Sequence, residues 1–226
     1  MTTLLILVAL LAVADRASAV VAGRVLAGQL QTSGALAARP EVSLRGVPFL
    51  TQALSGTYDR IEVRATGVPA GEVTVDLDVE LTKVQVPLGD LVSGSVTQVP
   101  VGQVRAEVLL PYAEMSRRSG DRQLVVSQAG NQVRVTGSVR VLGQTFTGSA
   151  VSTVTLEGDQ VVVTAQSYEV GNTVANAVVS RALGGLFDLR FAVDDLPYDL
   201  VVQSVEVGPD GVAVRADATQ TVLVAP

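Results

Sequence analysis

Asp194, Asp195 and Asp199 are the nearest thing in the chain to a carboxylate cluster. Carboxylates so spaced can ligate Ca²⁺ or share a proton in acid–base catalysis. They flank Leu196-Pro197-Tyr198, however, and this has the composition of a turn, where aspartate commonly stabilises the bend. A second acidic row, Glu72, Asp76, Asp78 and Glu80, falls on alternate positions and therefore on the wet face of a strand. Arg117-Arg118 can meet an anionic headgroup or simply close a helix in solvent. Histidine and cysteine are absent, which excludes a Ser-His-Asp triad, His-ligated or thiolate metal sites, disulfides and a lipid-modified N-terminal cysteine. A Ser-Lys pair is the arrangement left for a hydrolase, and Lys83 is the only lysine. No glycine-rich turn has the spacing of a phosphate cradle. The expectation is no catalytic residues, no metal and no cofactor.

The elements that would position any site are more legible. Leu4–Ala14 is eleven apolar residues without interruption, the length of a signal-peptide core and about half of a membrane span. Ala17-Ser18-Ala19 offers a small-x-small cleavage site, yet Met1-Thr2-Thr3 supplies no basic residue ahead of the apolar run. Behind it, Ala17, Val21, Val25 (or Leu26) and Leu30 recur every four to five residues, which predicts an amphipathic helix from Asp15 to about Ser33, stopped by Gly34. Cleavage after Ala19 would cut into that helix, which argues for an anchor over secretion. Residues 1–14 are thus expected to be an apolar signal or membrane-anchor segment, and 15–226 a single domain.

The remainder is valine-rich and alternating, as strands require. Val73, Val75, Leu77, Val79 and Leu81 point one way, and the pattern slips by one residue at Thr82-Lys83 before Val84 and Val86, which predicts a β-bulge. A strand over 101–110, a short helix over 111–118 and a meander from Leu124 to Tyr168 follow. After them come a helix over 172–183, an aromatic cluster around Phe187 and Phe191, and a closing hairpin of 201–207 with 212–216. The class is α+β. The 226 residues are 48% apolar and 17% charged, with a net charge of −6 and no basic cluster, so nucleic acid is not an expected partner. A long sheet with one apolar face needs a cover. If the helices leave a gap, it is a groove for acyl chains; if they close it, the chain reads as a scaffold with a protein partner.

The junction between helix and strands is the most distinctive stretch: Pro40-x-Val42-x-Leu44-x-Gly46-Val47-Pro48-Phe49-Leu50-Thr51-Gln52-x-Leu54-x-Gly56-x-Tyr58-Asp59-x-Ile61. Together with the strand ending Val84-x-Val86-Pro87 and the late Leu196-Pro197-Tyr198, it resembles the actinobacterial LmeA-like phospholipid-binding family over nearly the whole chain. The resemblance implies a fold like that of tubular lipid-binding domains, a long twisted antiparallel β-sheet wrapped around or packed on an N-terminal helix. It also implies a non-enzymatic protein exported to the cell envelope, a periplasm-like space, that takes phospholipid acyl chains at a membrane surface and supports envelope or lipoglycan biogenesis. On this basis Phe49, Leu50, Leu54, Met115, Phe187 and Phe191 are the expected lipid-binding residues.

Overall fold

The computed structural model describes residues 1–32, 38–70, 73–93, 95–117, 124–141, 144–157, 160–170, 189–192 and 199–224. The expected helix over 172–183, Phe187, Asp194, Asp195 and Leu196-Pro197-Tyr198 lie outside them.

The apolar segment and the helix behind it form one continuous element, α1 (Thr2–Thr32). Its buried residues are Asp15, Ala19, Gly23 and Ala27, one per turn. This corrects the face expected from hydropathy, because Val21 and Val25 are exposed. The reason is the closeness of the backbone opposite: a Cβ added to Gly23 would stand 2.5 Å from the carbonyl oxygen of Val42. Only small side chains allow such an approach, so the docking stripe is small rather than strongly apolar. Residues 2–14 of α1 are exposed on every side, including Leu4, Leu5, Ile6, Leu7, Leu10 and Leu11.

Two antiparallel sheets follow. The first comprises β1 (Glu41–Arg45), β2 (Thr57–Ala70), β3 (Val73–Gln85), β4 (Gln98–Pro111), β10 (Val201–Val207) and β11 (Gly211–Val224), in the order β1-β2-β3-β4-β11-β10. The second is the meander β5 (Val125–Ala129), β6 (Gln132–Val141), β7 (Gln144–Glu157) and β8 (Gln160–Val170), with β9 (Leu189–Ala192) at its edge. Short helices α2 (Phe49–Ser55), α3 (Leu88–Ser93) and α4 (Tyr112–Arg117) link the strands. The α+β class and the packing of the sheet on an N-terminal helix hold. The docked half of α1 lies against β1 and α2, at one edge of the first sheet. β11 runs well past the expected 212–216 because it pairs with β4 along its whole length.

Apolar side chains gather in two clusters. One joins Ala19 of α1 and Phe49 and Ala53 of α2 to Tyr58, Val84 and Val101 of the first sheet. The other lies between the sheets, with Val126, Val133, Val135 and Ala150 facing Val212.

The slip of pattern at Lys83 is real but is not a bulge. The pairs Tyr58↔Val84 and Arg60↔Thr82 keep one register across it, as do Thr82↔Gln103 and Val84↔Val101. Lys83 instead takes a left-handed conformation at φ 53, and Gln220 on β11 does the same at φ 52. The registers set Asp59, Lys83, Gly102 and Gln220 in one row across four strands. Burial changes phase there in every strand: Tyr58 to Ile61, Leu81 to Val84, Val101 to Val104 and Ala218 to Thr221. The sheet is creased along that row. At its centre Gly102 leaves room for Lys83, whose Cβ would stand 3.0 Å from an added methyl group. The register shift in β2–β3 lies elsewhere, between Ala65 and Val68.

Candidate functional site

The corner where α1 leaves the body is built around α2. The first N–H groups of any helix lack intrahelical partners, and Pro48 at the cap position has no side-chain oxygen to offer them. Asp15 of α1 supplies it: its Oδ1 accepts the Leu50 N–H at 2.8 Å, and its Oδ2 accepts a hydrogen bond from Arg16 Nη2 at 2.8 Å. Arg16 also donates to the Gly46 carbonyl at 2.5 Å. The backbone N–H groups of Leu50 and Phe49, then Arg16, stabilise the carboxylate and hold its pKa down at about 2. A buried aspartate is thus satisfied from a second helix, and this ties α2 to α1.

The other residues of the 46–59 run hold the same corner. Gly46 has φ 109, and a Cβ there would stand 2.7 Å from Asp59 Oδ2. Buried Gln52 accepts the Asp59 N–H at 2.8 Å and donates to the Pro48 carbonyl at 3.3 Å. Gly56 ends α2 in the left-handed region at φ 69, and its carbonyl accepts the Val86 N–H at 2.8 Å. Phe49, 5% exposed, lies with its ring centre 6.3 Å from that of Tyr58.

What the corner presents outward is apolar. Val47, Leu50 and Leu54 are 78%, 42% and 81% exposed. Leu50 is tied through its N–H to Asp15, beyond which the bare apolar part of α1 runs. Between α1 and β1 runs a groove of about 580 Å³, floored by Ala19, Gly23, Val42 and Leu44 and edged by Arg16, Arg24, Arg39 and Arg45. Outside that groove the exposed face of α1 carries Ala12, Val13, Ala17, Val20 and Val21 in a largely apolar stripe that shares Arg16, Val20 and Arg24 with the groove's edge.

The residues expected to bind lipid are not brought together. Phe49, Leu50 and Leu54 share α2, with Phe49 in the core and the two leucines outside. Met115, on α4, packs against the cluster between the sheets. Phe191 lies in β9 opposite Val161, and Phe187 lies outside the described residues. Asp199 is exposed at φ 58, and the other two members of its acidic group, Asp194 and Asp195, lie outside the described residues. On the β2–β3 face Glu62 pairs with Arg45, Asp78 with Arg64, and Glu80 with Arg60 and Arg105, while Asp76 accepts the Gly67 N–H at 2.9 Å.

Sequence reasoning missed Asp15, Arg16, Arg24 and Arg39. The available signal was Asp15 itself, a carboxylate closing an apolar run and standing four residues from Ala19, then Gly23 and Ala27. A charge on the small-residue stripe of a helix requires a partner when that stripe is buried.

In a comparison with protein families, a family model described as LmeA-like phospholipid-binding matches residues 13–217. The match begins two residues before Asp15, the first buried residue of α1. No curated protein and no solved structure matches the chain significantly.

Proposed function

The chain belongs to the LmeA-like phospholipid-binding family, and from that premise we propose that it is a non-enzymatic phospholipid-binding protein held at a cell-envelope membrane by α1. Residues 15–226 act as one lipid-binding domain, and residues 2–14 enter the bilayer. The helix Thr2–Thr32 is long and apolar enough to cross a membrane. Its thirteen bare residues alone advance about 20 Å, into a hydrocarbon core about 30 Å thick.

The observation that carries this reading is the Asp15 cap. Cleavage after Ala19 would take away Asp15 and Arg16, leaving the first turn of α2 uncapped and Ala19 absent from the core. The body needs residues that a cleaved protein would lose, which supports a retained anchor. Because α2 is fixed to α1 at residue 15, its outer face sits at the level where the anchor leaves the bilayer. Val47, Leu50 and Leu54 then meet the membrane surface and acyl chains, while Phe49 secures the helix that presents them. Each methylene moved out of water contributes about 0.8 kcal/mol, so two leucines suffice to bias the orientation of the body on its anchor.

The test has two readings from one preparation of the full chain purified from membranes. Mass spectrometry of an organic extract should find phospholipid at a fixed ratio to protein, and the intact mass should retain residues 1–19. Lipid-free protein that also takes no phospholipid from vesicles would refute the binding reading in favour of a scaffold with a protein partner. A mature N-terminus at Val20 would refute the anchor.

A further inference from the structure

Guanidinium groups gather beside α1 in a chain whose net charge is −6. Two of the four around the α1–β1 groove are spoken for: Arg16 by Asp15, and Arg45 by Glu62, which accepts from its Nε and Nη2 at 3.2 and 2.9 Å. Arg24 and Arg39 are not neutralised in this way. Arg39 Nη2 donates to the Arg24 carbonyl at 2.7 Å and lies 3.8 Å from where a Cβ on Gly28 would stand, so its guanidinium crosses α1. Among the described residues, no carboxylate pairs with either side chain. Glu41 is the one acidic residue along the groove. Two unneutralised cations therefore edge a cleft with an apolar floor. From Arg24 the exposed apolar stripe of α1 continues past Val20 to Val13, where the bare apolar helix begins.

We propose that Arg24 and Arg39 bind the phosphodiester of a membrane phospholipid, whose acyl chains lie along α1 past Val20 toward Val13. This rests on the phospholipid-binding reading and gives it a headgroup site. Charge complementarity selects the occupant. Planar guanidiniums pair bidentately with phosphate oxygens, whereas an uncharged lipid or an apolar peptide would leave both cations unpaired. Continuity with the apolar helix favours a lipid over a soluble phosphate. Arg24 lies two turns beyond Arg16, about 12 Å along the helix. With α1 upright, a lipid held there is partly lifted from the headgroup layer, as capture from a bilayer requires.

The test uses the full chain in mild detergent, loaded with phosphatidylglycerol and counted by native mass spectrometry. The Arg24→Gln/Arg39→Gln variant should bind at least about tenfold more weakly, the loss of one charge-assisted contact or more. The Lys/Lys variant should recover part of that binding, and Arg105→Gln, remote on the sheet, should bind as wild type does. Equal binding by wild type and the Gln/Gln variant would overturn the placement alone. A wild type that binds no phospholipid would refute both this site and the reading beneath it. Displacement of the lipid by inorganic phosphate would reassign the groove to a free anion.

Discussion

Phe49→Ala separates a packing residue from a lipid contact. Phe49 is 5% exposed and packs with Leu44, Ala53, Tyr58, Val84 and Val86. Its ring stands 6.3 Å from that of Tyr58 at 35°, a tilted aromatic pair. Truncating a buried phenylalanine costs about 3–5 kcal/mol through lost transfer energy and the cavity left behind. The aromatic pair accounts for about 0.5–1.5 kcal/mol beyond its area. For a chain of this length each kcal/mol moves Tm by about 2–4 °C, so the variant should melt roughly 10 °C below wild type by circular dichroism. Lipid bound per folded molecule should be unchanged at a temperature where both are folded. Leu54→Ala is the counterpart: at 81% exposure its loss removes little packing, and Tm should move by less than about 2 °C. An unchanged Tm with lost lipid binding in Phe49→Ala would refute the argument and place the ring in a lipid cleft.

Asp15→Ala should lower the urea midpoint by uncapping α2, and Asp15→Asn should do so less because its amide oxygen still accepts the Leu50 N–H. The folded carboxyl sits at about 2 against an ordinary 3.8. Its contribution is therefore complete above the ordinary value and is lost as pH falls toward 2. Wild type should lose stability across that window, and Asp15→Asn should lose less. Leu50→Glu/Leu54→Glu should keep wild-type Tm but reduce protection of α2 amides from hydrogen exchange on vesicles. Equal protection in wild type and variant would remove α2 from the membrane surface. At the crease, Lys83→Val should cost about 1–2 kcal/mol, since a branched residue resists φ 53. Lys83→Gly should stay within about 1 kcal/mol of wild type, as relief of strain offsets the loss of chain entropy, and denaturant unfolding measures both.

What the sequence made legible follows one rule of distance. Strands with local partners were readable, because β5–β8 and the 201–216 hairpin alternate and turn within a few residues. The length of β11 was not, since its last eight residues are held by β4, more than a hundred positions away. The docking face of α1 was misread because hydropathy weighs Val21 and Val25 above Ala19, Gly23 and Ala27, whereas close packing against Val42 selects for size. The phase slip at Lys83 was visible, but its cause was not. A bulge and a left-handed residue give the same one-residue shift, and only the row shared with Gly102 and Gln220 tells them apart. The 46–59 run was legible as distinctive. Its residues prove to be the glycines, proline, glutamine and aromatic pair that a tight helix-to-strand corner needs, with the capping carboxylate supplied from 35 residues upstream. Four of the six expected lipid-binding residues fall on aromatic or sulfur side chains that any core would also recruit. The cations that edge the groove come from three separate segments and carry no local signature.

The most direct test of a phospholipid site at the α1 corner is photocrosslinking of the full chain in vesicles with a phospholipid bearing a photoactivatable acyl chain, with adducts mapped by peptide mass spectrometry. Adducts on α1 from Val13 to Arg24 and on α2 from Val47 to Leu54 are the predicted result. Adducts confined to the cluster around Met115 between the two sheets, or none above a vesicle-bound control protein, would contradict it.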